Sequence, residues 1–163
     1  MLTDIQVEWL KKQPKEKKEE IERMWLEYMV PENATVTASP CEESRWDATV
    51  TVPEKKPFWC ENKMRFVPEA MATNGGLLTD LSKVEFLYST GNGILIHYFP
   101  KEECCYVVKV GEPSEYKQRT GWYRKNNYTD EMVEKTVCYI PVTKENRREI
   151  NIKEIMRNGT KGV

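Results

Sequence analysis

The stretch 46–65 constrains the fold more than any other part of the chain, because it predicts two strands joined by a turn. Residues 46–52 alternate between apolar and polar side chains, which is typical of a half-buried strand. The segment 53–57 begins and ends with proline and predicts a turn. Residues 58–66 predict the second strand, so the whole stretch is expected to form a β-hairpin.

The expected hairpin gathers charged side chains on one of its faces. Glu61 and Lys63 are two residues apart and therefore share a face of the second strand. Antiparallel pairing then brings Asp47, near the start of the first strand, close to both. Two carboxylates are ligands for Mg²⁺, and an adjacent lysine orients a water molecule or stabilises charge on a phosphate. The alternative is an ordinary solvent-facing strand, on which charged residues are common.

Length, charge and cysteine usage exclude several classes of protein. A chain of 163 residues with net charge −1 is expected to form one domain, and it is neither a strongly basic nucleic-acid coat nor an acidic DNA mimic. It has no apolar run of membrane-spanning length and no secretory signal pattern, so we expect a cytoplasmic protein without a membrane partner. The five cysteines form no CxxC pair and His97 is the single histidine, which argues against a zinc site.

The first 29 residues predict two helices. Thr3 and Gln6 have the spacing of a capping box, which predicts a short helix to about residue 12. A second helix is expected over 15–29. Glu20 and Glu27 lie next to its apolar stripe, and two alternatives are open: one or both side chains turn inward, or both stay at the surface. The predicted buried stripe of this helix consists of Ile21, Met24, Trp25 and Tyr28.

The rest of the chain predicts a mixture of strands and helices. We expect residues 67–76 to be irregular, and residues 77–88 to form a helix that carries Lys83 near its apolar side. Further strands are predicted at 34–38, 94–99, 104–110 and 137–142, with a short terminal element at 150–156.

The segment 112–136 is polar, has little periodicity and is expected to be a long loop. It combines cations with aromatic rings, which suits a nucleic-acid backbone because cations meet phosphates and rings stack on bases. An ordinary solvated loop is the alternative. The cations of this segment are Lys117, Arg119, Arg124 and Lys125, and the rings are Tyr116, Trp122, Tyr123 and Tyr128.

The order of these elements resembles the PD-(D/E)xK nuclease superfamily over roughly residues 15–142. Asp47 matches the acidic residue of the second core strand, and the tripeptide 61–63 matches the (D/E)xK motif fourteen residues later. Arg65 is similar to the extra basic residue that follows this motif in several branches. Two departures are the position of Pro40, seven residues ahead of Asp47, and a polar residue at the centre of the tripeptide.

The resemblance implies a restriction-endonuclease-like core in a single α/β (α+β) domain, with a central mixed β-sheet flanked by helices. It implies DNA hydrolysis with Mg²⁺ or Mn²⁺, with Asp47 and Glu61 as metal ligands, joined by Glu20 or Glu27 in some members. Lys63 would orient or activate the water. Expected DNA contacts are Arg65, Lys83, Lys117, Arg119, Arg124 and Lys125.

Two other functions stay open at this stage. One is a catalytically silent nuclease fold that binds DNA or a protein partner, and the other is a phage-encoded host-takeover or anti-defence protein. The sequence leaves the oligomeric state open, a homodimer included.

Overall fold

A six-stranded mixed sheet forms the centre of the fold in the computed structural model, which describes residues 1–40, 46–126 and 128–160. A second, three-stranded sheet and five helices pack around it, so the protein is a mixed α and β domain. In chain order the elements are α1 (Asp4–Lys11), α2 (Lys15–Met29), β1 (Thr35–Ala38), β2 (Ala48–Thr51), β3 (Phe58–Met64), α3 (Glu69–Asn74), β4 (Leu77–Asp80), α4 (Leu81–Ser89), β5 (Gly93–Phe99), β6 (Cys104–Lys109), β7 (Lys117–Arg124), β8 (Met132–Ile140), β9 (Arg147–Glu149) and α5 (Ile152–Thr160).

The central sheet has the strand order β1-β2-β3-β5-β6-β9. Its only parallel pair among the described strands is β3 with β5, and the other neighbours run antiparallel. A parallel pair needs a crossover connection, which here contains α3, β4 and α4. The second sheet has the order β4-β8-β7 and is antiparallel throughout.

The two faces of the central sheet bury different cores. On one face, α1, α2 and α5 cover a core in which the rings of Trp25 and Tyr98 lie 5.1 Å apart. On the other face, α4 and the second sheet cover a core that includes Leu95, Phe99 and Cys138. Both faces of the sheet are therefore covered over its middle strands.

Gly93 allows α4 to pack closely on the start of β5. A Cβ atom at this position would overlap the backbone carbonyl of Leu87 in the last turn of α4. A larger residue would therefore push the helix away from the sheet. The close approach fixes α4, and with it Lys83, beside β3.

The helices and the hairpin at the start of the chain confirm the predicted secondary structure. The capping box of Thr3 and Gln6 is present, and the second helix has the predicted bounds. The hairpin forms with β2 and β3 antiparallel. Among the described residues, no helix has the length and apolarity needed to cross a bilayer.

Several segments differ from the predictions, and the difference at 77–80 comes from pairing with residues distant in sequence. Residues 77–80 are strand β4 and only residues from Leu81 onward are helical, because β4 pairs with β8. Residues 117–124 and 132–140 form a long hairpin instead of a loop and a short strand. The expected irregular segment 67–76 contains the short helix α3.

Candidate functional site

The hairpin of β2 and β3 brings Asp47 and Glu61 together. Ala48 pairs with Cys60, and the Asp47 N–H donates to the Cys60 carbonyl at 2.8 Å, so Asp47 lies opposite Glu61. The Asp47 Oδ2 atom accepts a 2.7 Å hydrogen bond from the backbone N–H of Asn62. The two carboxyl groups interact directly through their side chains. We call Asp47 and Glu61 the acid pair.

Burial makes the acid pair hold protons more tightly than ordinary carboxyl groups. Glu61 is only 6% exposed. Burial, followed by the nearby charge of Asp47, raises the pKa of Glu61 to about 8. Burial also raises the pKa of Asp47, although the Asn62 hydrogen bond and the charge of Lys83 oppose the shift. Near neutral pH the pair is therefore expected to hold a proton until a cation replaces it.

Lys83 reaches the acid pair from α4. Its Nζ lies 2.5 Å from Glu61 Oε1, and 42% of its side chain is exposed. Burial opposes the charge of Lys83, but the carboxylates of Glu61 and Asp47 outweigh it and raise the pKa of the ammonium. Lys83 was expected as a DNA contact, whereas its position makes it an ionic partner of Glu61.

Lys63 lies two residues after Glu61 and therefore on the same face of β3. Burial, together with the positive charges of Arg65 and Lys83, lowers the pKa of Lys63 to about 8. Its neighbour in the parallel register is His97, which is fully buried, with neither ring nitrogen hydrogen-bonded to a described residue. Burial and the charge of Lys63 lower the pKa of His97, so the imidazole is neutral. Arg65 follows Lys63 on this face and is half-buried.

The helix glutamate that faces the acid pair is Glu22, which was not among the residues predicted from the sequence. Glu20 and Glu27 are both exposed on α2, so of the two alternatives the surface position holds for both, and neither glutamate joins the acid pair. Glu22 is 5% exposed, and its Oε2 has no hydrogen-bond partner among the described residues. Burial, followed by the charges of Asp47 and Glu61, raises the pKa of Glu22 well above its usual range.

The stripe of α2 explains why Glu22 was not predicted. Tyr28, expected in the buried stripe, is 60% exposed, whereas Leu26 is 3% exposed. The buried face is therefore rotated toward Ile21, Glu22, Trp25 and Leu26. Glu22 lies three residues before Trp25 and four residues before Leu26. A buried stripe that included Leu26 would therefore have included Glu22 as well.

The four expected DNA-binding cations of segment 112–136 lie on or directly after β7. Lys117, Arg119, Arg124 and Lys125 are all exposed. Arg124 and Lys125 form loose ion pairs with Asp130 and Glu131 across the hairpin tip, at 4.0 and 3.8 Å. Lys117 lies over the ring of Tyr139 at 5.7 Å from its centroid. The hairpin thus displays the four cations along an ordered ribbon.

The acid pair and Glu22 offer the oxygen ligands that a hard divalent cation prefers. Within the described ranges, no group of three or more His, Cys, Asp or Glu side chains is already arranged to hold a metal ion. Mg²⁺ is commonly held by one or two carboxylates, with water and substrate phosphate completing its shell. The buried Glu22 Oε2, which has no hydrogen-bond partner among the described residues, also fits a cation in this region.

Comparisons with family models, with curated proteins and with solved structures give no match to this chain.

Proposed function

We propose that the protein is a metal-dependent nuclease that hydrolyses DNA phosphodiester bonds, with a restriction-endonuclease-like core. The proposal rests on the positions of Asp47 and Glu61, which lie opposite each other just beyond the last paired residues of β2 and β3, with Lys63 on the same face of β3. The order β1-β2-β3-β5, with a helical crossover between the parallel strands β3 and β5, supports the same core.

In this proposal Asp47 and Glu61 would hold Mg²⁺ or Mn²⁺, and the buried carboxyl group of Glu22 would act on the ion through its charge. The ion would supply a water molecule of lowered pKa and would neutralise charge on the phosphate. The Asn62 N–H fixes the Asp47 carboxylate through the 2.7 Å hydrogen bond. Lys83 stabilises the ionised form of Glu61, the form that binds metal.

Lys63 has the properties expected of the group that handles the attacking water. Its pKa of about 8 leaves a substantial neutral fraction near pH 8, so its amine both accepts a proton from water and, when charged, stabilises the phosphate oxygens. The neutral, buried His97 beside it contributes no competing charge. The substrate then approaches the exposed end of the face that carries Lys63 and Arg65.

One observation favours a second candidate, a catalytically silent fold that binds DNA. Lys83 already neutralises Glu61 at 2.5 Å, as a cation would, and no described three-residue ligand group is present. An internal lysine in this role makes the carboxylate a structural ion-pair partner instead of a metal ligand. The two functions differ in whether Mn²⁺ binds at the acid pair.

A calorimetric titration of the protein with Mn²⁺ separates the two candidates. We expect one site in the wild type at pH 8 and a loss of binding of at least about tenfold in Asp47→Asn, because one carboxylate ligand is removed. The substitution keeps an acceptor for the Asn62 N–H, so the fold is retained. Asp4→Asn is the matched control, since Asp4 lies on α1 with its side chain 91% exposed. Equal Mn²⁺ affinity in the wild type and Asp47→Asn would favour the silent fold.

A further inference from the structure

The β7–β8 hairpin is attached to the protein on both sides of the acid pair. At its base, β8 pairs with β4, which continues directly into α4. Lys135 of β8 also binds Asp80, at the start of α4, at 3.0 Å. At the hairpin tip, the ring of Tyr128 lies 5.4 Å from the Nζ of Lys18 on α2. The hairpin therefore spans the distance between the two helices that contribute Lys83 and Glu22 to the site.

The tip of the hairpin lies close to the carboxylates. Tyr128 interacts electrostatically with Glu22, Glu19 and Asp47, and these charges, after burial, raise the pKa of its hydroxyl. Lys18 also lies 5.5 Å from the ring of Phe66, just beyond the end of β3. The tip is thus held by a chain of cation–π contacts that runs from the hairpin to α2 and on to β3.

The hairpin carries the groups that hold a polynucleotide strand. Trp122 is 66% exposed, although a large ring in a sheet is ordinarily buried. It is two residues from Arg124 on the same face of β7. Over 117–140 the sequence has five basic and three acidic side chains, and the ion pairs of Arg124 and Lys125 are exposed and easily exchanged for phosphate. An exposed indole beside exchangeable cations is the combination by which single strands are bound.

We propose that the β7–β8 hairpin binds one strand of DNA in preference to a duplex, with Trp122 stacking on a base and Arg124 and Lys125 contacting phosphates. This inference rests on the proposed nuclease function and names its substrate class. Stacking on Trp122 requires an unpaired base, and the bases of a duplex are already paired and stacked, so the exposed ring favours a single strand.

Fluorescence anisotropy of the whole protein in EDTA tests this proposal without requiring cleavage. The probes are a dye-labelled single strand of roughly 16 nucleotides, the upper site size of single-strand-binding folds, and a blunt duplex of the same sequence. We expect the wild type to bind the single strand at least about tenfold more tightly than the duplex. Trp122→Ala should weaken single-strand binding about tenfold, and Trp122→Phe should retain most of it, because a ring still stacks. Trp9→Ala is the matched control, since Trp9 is 43% exposed on α1.

Equal affinity for the two probes, unchanged single-strand affinity in Trp122→Ala, or binding of neither probe would overturn the inference. A cleavage reaction with Mn²⁺ separates this failure from failure of the proposed function. Wild-type protein that cuts duplex and single strand at equal rates would retain the nuclease function and reject the preference for a single strand. Protein that binds the single strand through Trp122 but cuts no DNA would reject the nuclease function and retain single-strand binding by the hairpin.

Discussion

Lys83 and Glu61 form an ion pair of 2.5 Å between α4 and β3, yet the pKa of Glu61 is still raised to about 8. Burial and the adjacent Asp47 therefore outweigh the attraction of the ammonium. A carboxyl group in this state is costly to ionise in the metal-free protein, and in the proposed function a bound divalent cation would remove that cost. The relationship links the stability of the fold to pH.

The first prediction concerns the pH dependence of stability. The folded pKa of Glu61 lies above its ordinary value of 4.5, so the folded state binds the proton more tightly than the unfolded state. The stabilisation is complete below about pH 4.5 and is lost as the pH rises toward about 8. We expect Glu61→Gln to gain stability over the metal-free wild type as the pH rises from 5 to 8, by on the order of a few kcal/mol. Urea unfolding at several pH values measures the difference, and a gap independent of pH would contradict it.

The second prediction separates Glu22 from the two exposed glutamates of α2. Glu22→Gln removes a buried group that is disfavoured when ionised, so the melting temperature of the metal-free protein at pH 8 should rise. The same change should weaken Mn²⁺ binding several-fold, because a nearby negative charge is removed. Glu20→Gln is the control and should change neither quantity, since the Glu20 side chain is 54% exposed. Identical behaviour of the two variants would remove Glu22 from the site.

The acid pair could be predicted from the sequence, because the strands and the turn that bring Asp47 and Glu61 together are close in sequence. Strict alternation over 46–52 sets the face of Asp47, and a short turn sets its register with Glu61. Lys83 and Glu22 reach the same place through helix packing, which depends on contacts far apart in the chain. Residues 77–80 show the limit most clearly, since their leucines fit a helical period and only pairing with β8 makes them a strand.

The third prediction concerns Lys63. Lys63→Ala should reduce Mn²⁺-dependent cleavage by roughly 10²–10³-fold, because it removes one preorganised group that acts on the water or on the transition-state charge. DNA affinity should stay within a few-fold, since binding comes mainly from phosphate contacts elsewhere. Cleavage rates and anisotropy on the same preparation measure both quantities. A proportional loss of affinity and rate would show that Lys63 only binds the substrate.

The fourth prediction concerns the cations of β7. Lys117→Glu combined with Arg119→Glu should weaken DNA binding and lower the salt dependence of log K by about 0.7 for each phosphate of the single strand that the protein no longer neutralises. Arg124→Glu combined with Lys125→Glu should repel DNA too, and should also break the pairs with Asp130 and Glu131 at the tip. DNA affinity measured for both double variants across a salt series shows how many phosphate contacts each pair of cations makes. If the salt dependence of log K is the same in the wild type and in the first double variant, Lys117 and Arg119 do not contact DNA phosphates.

The most direct test of the proposed nuclease function is cleavage by the wild-type protein beside an identically purified Glu61→Gln variant. Single-stranded DNA and supercoiled plasmid are incubated with each protein in Mn²⁺ and in EDTA. We expect the wild type to cut single-stranded DNA in Mn²⁺ and not in EDTA, and we expect no cutting by Glu61→Gln. If wild-type protein cuts neither DNA in Mn²⁺, or if Glu61→Gln cuts as fast as the wild type, the acid pair is not the centre of a nuclease.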